Sequence, residues 1–380
     1  MKGSLAEVAR LFLKLGVIAF GGPAAHIALM REEIVRRKRW ISDERFLDLV
    51  GMANLIPGPT STEVSIYLGY VRAGWPGLIV AGVCFIVPAM LMVLALAWLY
   101  VRYGGTPSAA AAIYGITPVI IAIVAHALWA LGRTAVKSAL LAAIGLTVLA
   151  LALAGVNVLV LLLGGGVLMM LLQVARGRRA AAAMMLATLG TPAFALGEGT
   201  VARTTAPLGA LFLTFLKIGA VLYGSGYVLL AFLRHDFVER LGWLSDRQLL
   251  DAVAVGQFTP GPVFTTATFI GYLVAGLPGA LLSTLAIFLP SFVLVAASYP
   301  LLPRIRGSRW MSAFLDGVNV AAVGLMAAVT WQLARAAIVD GFTALLTVVA
   351  GALLLRTRVN SAWLVIAGAA AGLLARRFVG

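Results

Sequence analysis

Cysteine and charge are both scarce in this chain. Cys84 is the single cysteine among 380 residues, and it lies inside an apolar run. One thiol excludes an intramolecular disulfide and a cysteine-built metal site. The three histidines, His26, His126 and His235, lie far apart and share no ligand spacing, so no cofactor is expected. Charged residues make up only 11% of the chain, against roughly 25% in a soluble domain. No polar stretch is long enough to build a soluble domain. No P-loop of the Gly-x4-Gly-Lys-Ser/Thr type is present, so ATP is not expected to drive the protein. A secretory leader is not expected either, because Glu7 and Lys14 fall where its apolar core would lie. Nor does any nucleophile stand with a base, or any set of acids with metal spacing. An enzyme is therefore not expected.

Apolar residues fill the space. They make up 62% of the chain, and the mean hydropathy is +1.03. Long apolar runs cover 78–101, 113–131, 140–154 and 156–173. About 20 such residues cross a hydrocarbon core of about 30 Å. The expected fold is an all-α polytopic membrane protein surrounded by membrane lipids. The net charge is +15. Most basic residues fall in short loops, which is the positive-inside pattern of a membrane protein rather than the patch of a nucleic-acid binder. No nucleic acid is expected as a partner. Anionic lipid at the cytoplasmic face suits the excess. A homodimer stays open as an assembly.

The chain also repeats itself. Residues 12–90 reappear at 215–292. Phe12-Leu13-Lys14 matches Phe215-Leu216-Lys217, and Trp40-x-Ser42-Asp43 matches Trp243-x-Ser245-Asp246. Pro57-Gly58-Pro59 matches Pro260-Gly261-Pro262. Gly115, Arg133 and Asn157 find Gly317, Arg335 and Asn360 further on. The organisation expected is a repeat over 1–178, a basic cytoplasmic linker over 179–206, and a second repeat over 207–380. A two-fold repeat in an apolar chain is the mark of a transporter whose site lies between the halves.

Proline removes a helical donor and glycine loosens the backbone, so helices should break at both Pro-Gly-Pro motifs. The pieces on either side are too short to cross alone. Re-entrant hairpins are therefore expected at about 46–72 and 248–273. A returning hairpin gathers Arg36, Arg37, Lys38, Arg39, Arg45, Arg72, Arg133 and Lys137 on one face, which becomes cytoplasmic. Each half then has about five transmembrane helices plus one hairpin, ten crossings in all. An odd number of crossings inverts the second half. Val274 in place of Arg72, and Arg304, Arg306 and Arg309 in the later loops, agree with inversion; Arg376 and Arg377 do not.

Lys14 and Lys217 occupy matched positions deep in apolar segments. Charge at that depth normally faces a cavity or a partner. Two such lysines near a repeat axis would suit a divalent anion, although a lysine can also snorkel to the interface. Gly21 and Gly22, with Gly224 and Ser225, follow the lysines and would expose backbone N–H groups for oxyanions. Thr60, Ser61 and Thr62 follow the first Pro-Gly-Pro; Thr265 and Thr266 follow the second. Asn54 and Gln257 stand three residues before each motif and could donate hydrogen bonds. The half-helices beginning after each break would aim their positive ends at the pocket. Glu63 and Asp316 have no acidic counterpart across the repeat. Either could carry a coupling proton or act as the counter-ion of a lysine.

Phe20-Gly21-Gly22-Pro23, the basic stretch ending Trp40-Ile41-Ser42-Asp43, and Pro57-Gly58-Pro59 together resemble the chromate transporter superfamily. The likeness covers both halves, as in its long-chain, two-domain members. The second half departs from it, with Tyr223-Gly224-Ser225-Gly226 replacing Phe-Gly-Gly-Pro. The resemblance implies export of chromate across a bacterial or archaeal cytoplasmic membrane; sulfate, close in shape and charge, is the alternative. Physics agrees with that direction. Moving a dianion out of a negative interior is favoured by about 2 × 2.3 kcal/mol per 100 mV.

Overall fold

The computed structural model describes residues 4–20, 22–177, 208–223, 226–299, 309–357 and 359–379. Gly21, Gly224, Ser225, the linker 179–206 and the loop arginines Arg304 and Arg306 lie outside the described residues. Everything described is helix or short connection. In lipid a helix satisfies its own backbone, and an apolar chain of this composition has no cheaper solution. Four helical stretches are long and apolar enough to cross a membrane: Thr60–Tyr103, Pro107–Ala135, Val263–Ser298 and Trp310–Ala337. Shorter apolar helices accompany them.

The first half opens with α1 (Leu5–Ile18) and α2 (Gly22–Arg31), which runs on as a π-helical turn over Glu32–Arg37. At 1.5 Å per residue the 14 residues of α1 reach about 21 Å, short of a crossing. The sequence reading expected one crossing here. Instead the chain doubles back. Gly22 takes a positive φ of 78°, and Lys14 Nζ then meets Glu33 Oε1 at 2.8 Å, although 19 residues separate them. A continuous helix would hold them about 28 Å apart. Glu7, near the start of α1, receives hydrogen bonds from Trp40 Nε1 at 3.1 Å and Arg72 at 2.8 Å. The start of α1, the loop after α2 and the Arg72 turn therefore share one end of the bundle. The first two helices thus form a returning pair, because an apolar run looks alike whether it crosses or folds back.

α3 (Asp43–Ala53) follows, capped by Ser42, whose hydroxyl accepts from the Arg45 N–H. The chain then breaks through Pro57-Gly58-Pro59 and resumes as α4 (Thr60–Tyr103). α4 reverses at Ala73 and Gly74, where Gly74 has φ 67°. A Cβ placed on Gly77 would lie 2.2 Å from the Gly69 carbonyl oxygen, so the two arms touch backbone to backbone. Only glycine permits that approach. α5 (Pro107–Ala135), α6 (Ala139–Leu153) and α7 (Val158–Gly177) complete the half.

The second half follows the same plan. α8 (Leu208–Val221) folds back onto α9 (Leu229–Leu233) and its π turn Arg234–Arg240. α10 (Asp246–Phe258) leads to the second break, and α11 (Thr266–Ser298) reverses at Ala275 and Gly276. Thr268 and Thr284 share a hydroxyl hydrogen bond of 2.7 Å across that turn. α12 (Arg309–Ala337), α13 (Gly341–Arg356) and α14 (Ser361–Val379) close the chain.

Small residues bring the halves together, as membrane helices without a hydrophobic driving force require. α5 meets α14 where Gly115 faces Gly368 and Gly372; α12 meets α7 where Gly317 faces Gly165. The broken helices also exchange backbone hydrogen bonds. Gly58 N–H donates to Leu222 O and Gly261 N–H to Ala19 O, each at 2.8 Å. Gly58 and Gly261 have φ of 138° and 89°, conformations that favour glycine.

A vestibule between the halves

A cavity of about 900 Å³ lies between the halves. α5 lines one wall with Ile123, His126, Ala127, Ala130 and Thr134, the spacing of a single helix face. α12 lines the other with Asp316, Asn319, Ala322 and Val323. Lys137 lies in the loop after α5, and its Nζ donates to Asp316 Oδ1 at 2.7 Å. Asn360 and Ser361, at the start of α14, complete that end. From Thr134 to Ile123 the wall descends about 16 Å. The deep part is lined by Gly22, Asn54 and Thr60, all at the breaks of the first half. Thr60 Oγ1 lies 3.5 Å from Asn54 Oδ1. α2 and α4 both begin here, so two helix N-termini bring partial positive charge to the cavity.

Of the residues singled out from sequence, Gly22, Asn54, Thr60 and Asp316 meet at this cavity. Ser61 is buried, with its hydroxyl 3.2 Å from His26 Nδ1. Thr62 is buried next to it. In the second half Thr265 Oγ1 donates to Pro262 O and Thr266 Oγ1 to Val263 O, both at 2.8 Å. Those hydroxyls, with buried Gln257, are absent from the cavity lining. The two breaks are alike in backbone and unlike in what they present.

Lys14 and Lys217 do not converge. Each is paired within its own hairpin, Lys14 with Glu33 at 2.8 Å and Lys217 with Asp236 at 2.7 Å. Arg37 joins Glu33 at 3.1 Å, and Arg240 joins Asp236 at 3.0 Å, so each carboxylate sits between two cations. Neither lysine lines the vestibule.

Glu63 is fully buried, and neither carboxyl oxygen has a hydrogen-bond partner among the described residues. It packs against the first break: a Cβ on Gly58 would lie 2.2 Å from Glu63 Oε1 and 2.7 Å from Ser291 Oγ of α11. Ser291 Oγ is unpartnered too. The carboxyl group thus sits at the seam between the halves.

Sequence reasoning missed His126, Asn319 and Lys137. His126 was one of three scattered histidines, and Lys137 looked like an ordinary loop charge. Asn319, an amide in the middle of an apolar helix and three residues after Asp316, was the one available signal.

A repeated, broken-helix bundle around a cavity between its halves, with a few polar groups on a mostly apolar wall, is the architecture of a membrane transporter. The chain belongs to the chromate transporter family, whose model matches residues 6–170 and again residues 209–373. A chromate transport protein of Cupriavidus metallidurans is 38% identical over 369 residues, covering 97% of this chain and 92% of that protein. A probable chromate transport protein of Synechococcus elongatus is 34% identical, covering 91% of this chain and 89% of its own length. One from Pseudomonas aeruginosa is 33% identical, covering 85% and 80%. No solved structure matches. Membership places the chain among multi-pass membrane transporters rather than enzymes.

Proposed function

We propose that this chain exports chromate, a divalent oxyanion, from the cytoplasm, loading it through the vestibule. The observation that carries the reading is the cavity ending on Gly22, Asn54 and Thr60. An amide, a hydroxyl and two helix N-termini suit oxyanion oxygens. The names of the relatives support chromate as the ion, and sulfate shares its shape and charge. Efflux down the membrane potential requires no nucleotide.

The halves are read as inverted repeats. Contacts between them support this, since each joins equivalent features from opposite ends of the two repeats. Arg45, at the start of α3, reaches Tyr299 at the end of α11 at 3.3 Å. Tyr100, near the end of α4, donates to Asp251 of α10 at 2.7 Å. Asn157, between α6 and α7, lies 3.2 Å from His235. The end holding Arg36, Arg37, Lys38, Arg45, Arg72 and Lys137 is taken as cytoplasmic by the positive-inside rule. The vestibule mouth, at Lys137 and Asp316, is then the cytoplasmic entrance.

Glu63 is assigned to proton coupling. An ionised carboxylate without a partner among the described residues is costly in such a seam, which suits a group that takes up and gives back a proton. Lys14 and Lys217 are assigned to holding their hairpins closed. The test is direct binding of chromate and sulfate to the purified protein, with Asn54→Ala and Thr60→Val alongside. Unchanged affinity in both variants would remove the vestibule from the pathway.

A further inference from the structure

We infer that Lys137 is the residue that captures the anion at the entrance, and that Asp316 is its resident competitor. This rests on the reading of the vestibule as an oxyanion path. Among the described residues, Lys137 is the single lysine or arginine of the lining, and Asp316 the single carboxylate. They come from different halves and meet at 2.7 Å across the mouth. Lys137 remains 61% exposed, so its ammonium is hydrated and free to turn towards an arriving ion. A dianion entering this cavity finds Lys137, the one lysine or arginine among the described lining residues, already engaged. Loading therefore exchanges one partner of Lys137 for another: the carboxylate is released and oxyanion oxygens take its place.

The repeat strengthens the assignment. Lys137 and Asp316 correspond to Val339 and Tyr114 in the other half. At that matched place Tyr114 donates to Asp340, beside Val339, at 2.5 Å. The fold thus makes the same cross-half contact twice, yet only one copy contains a cation. An anion is attracted at the Lys137 end, while the Asp340 end offers a carboxylate and a phenol. The asymmetry favours loading from one side, whereas a symmetric pair of contacts would not.

Exchange makes a prediction that ordinary loss-of-contact reasoning does not. Asp316→Asn should tighten oxyanion binding, because the lysine no longer has a charged partner to give up. For a pair this exposed the gain is about three- to fivefold. Lys137→Gln should weaken binding by about tenfold. In the Lys137→Gln/Asp316→Asn double variant the gain from Asp316→Asn should vanish. The experiment is titration of full-length purified protein with chromate and with sulfate at fixed ionic strength. Wild-type protein that binds neither ion would end the oxyanion reading itself. Wild-type binding with unchanged or weaker binding by Asp316→Asn would overturn the exchange while leaving that reading intact. An equal gain in the Lys137→Gln background would also overturn it, since Asp316 would then act by bulk repulsion alone. Tighter binding confined to the Lys137 background supports it.

Discussion

Lys14 Nζ and Glu33 Oε1 meet at 2.8 Å across a break in the first hairpin. Lys217 and Asp236 repeat the contact at 2.7 Å in the second. The two pairs differ in burial: Glu33 is 12% exposed and Asp236 only 1%. Lys217→Met should therefore cost more stability than Lys14→Met, about 2 against about 1 kcal/mol. Both figures allow for the half-exposed lysine and the arginine left behind. Thermal unfolding in detergent checks the order. Neutralising the carboxylate as well, in Lys217→Met/Asp236→Asn, should recover part of the loss. If neither lysine alters the melting temperature but both abolish oxyanion binding, they belong to the substrate and not to the hairpins.

Asn54→Ala should reduce oxyanion affinity about tenfold, or about 1.4 kcal/mol. Thr60→Val should do the same to a lesser degree, since the helix N-terminus at Thr60 survives the change. Gln257→Ala should have little effect, because Gln257 does not line the vestibule. Equilibrium binding of chromate measures all three.

Glu63→Gln keeps the shape of the buried carboxyl and fixes it neutral. It should bind oxyanions as the wild type does, while proteoliposome efflux loses most of its response to a pH gradient. Glu63→Asp should retain that response. An identical pH response in wild type and Glu63→Gln would make the residue a packing element and the transport a simple uniport.

Topology is open to labelling. In a background with Cys84→Ser, Lys38→Cys should react from the cytoplasmic side and Arg240→Cys from the opposite side. Labelling of both from one side would refute inverted repeats.

The breaks and the repeat were legible in the sequence because their chemistry is local. Pro57-Gly58-Pro59 interrupts a helix wherever it occurs, and its copy at 260–262 announces the second half. Asn54 and Thr60 could be picked out by their nearness to that break. The doubling of α1 onto α2 was not legible. The partner that reveals it, Glu33, lies 19 residues beyond Lys14 and across the turn. Nor could sequence reveal the Lys137–Asp316 contact, which spans 179 residues and forms only when the halves dock. Pairings set by tertiary packing leave no periodic trace.

The exchanged backbone bonds at the two breaks have a consequence for biosynthesis. Gly58 finds its acceptor on Leu222, and Gly261 finds its own on Ala19. An amide at membrane depth without an acceptor is expensive. When the ribosome has finished only the first half, the Gly58 amide and the Ala19 carbonyl are both still waiting. The first half is thus left with open polar ends until the second has entered the bilayer. A chain truncated after α7 should be a substrate for membrane proteases rather than a stable half-transporter, whereas the two halves made as separate polypeptides in one cell should rescue each other.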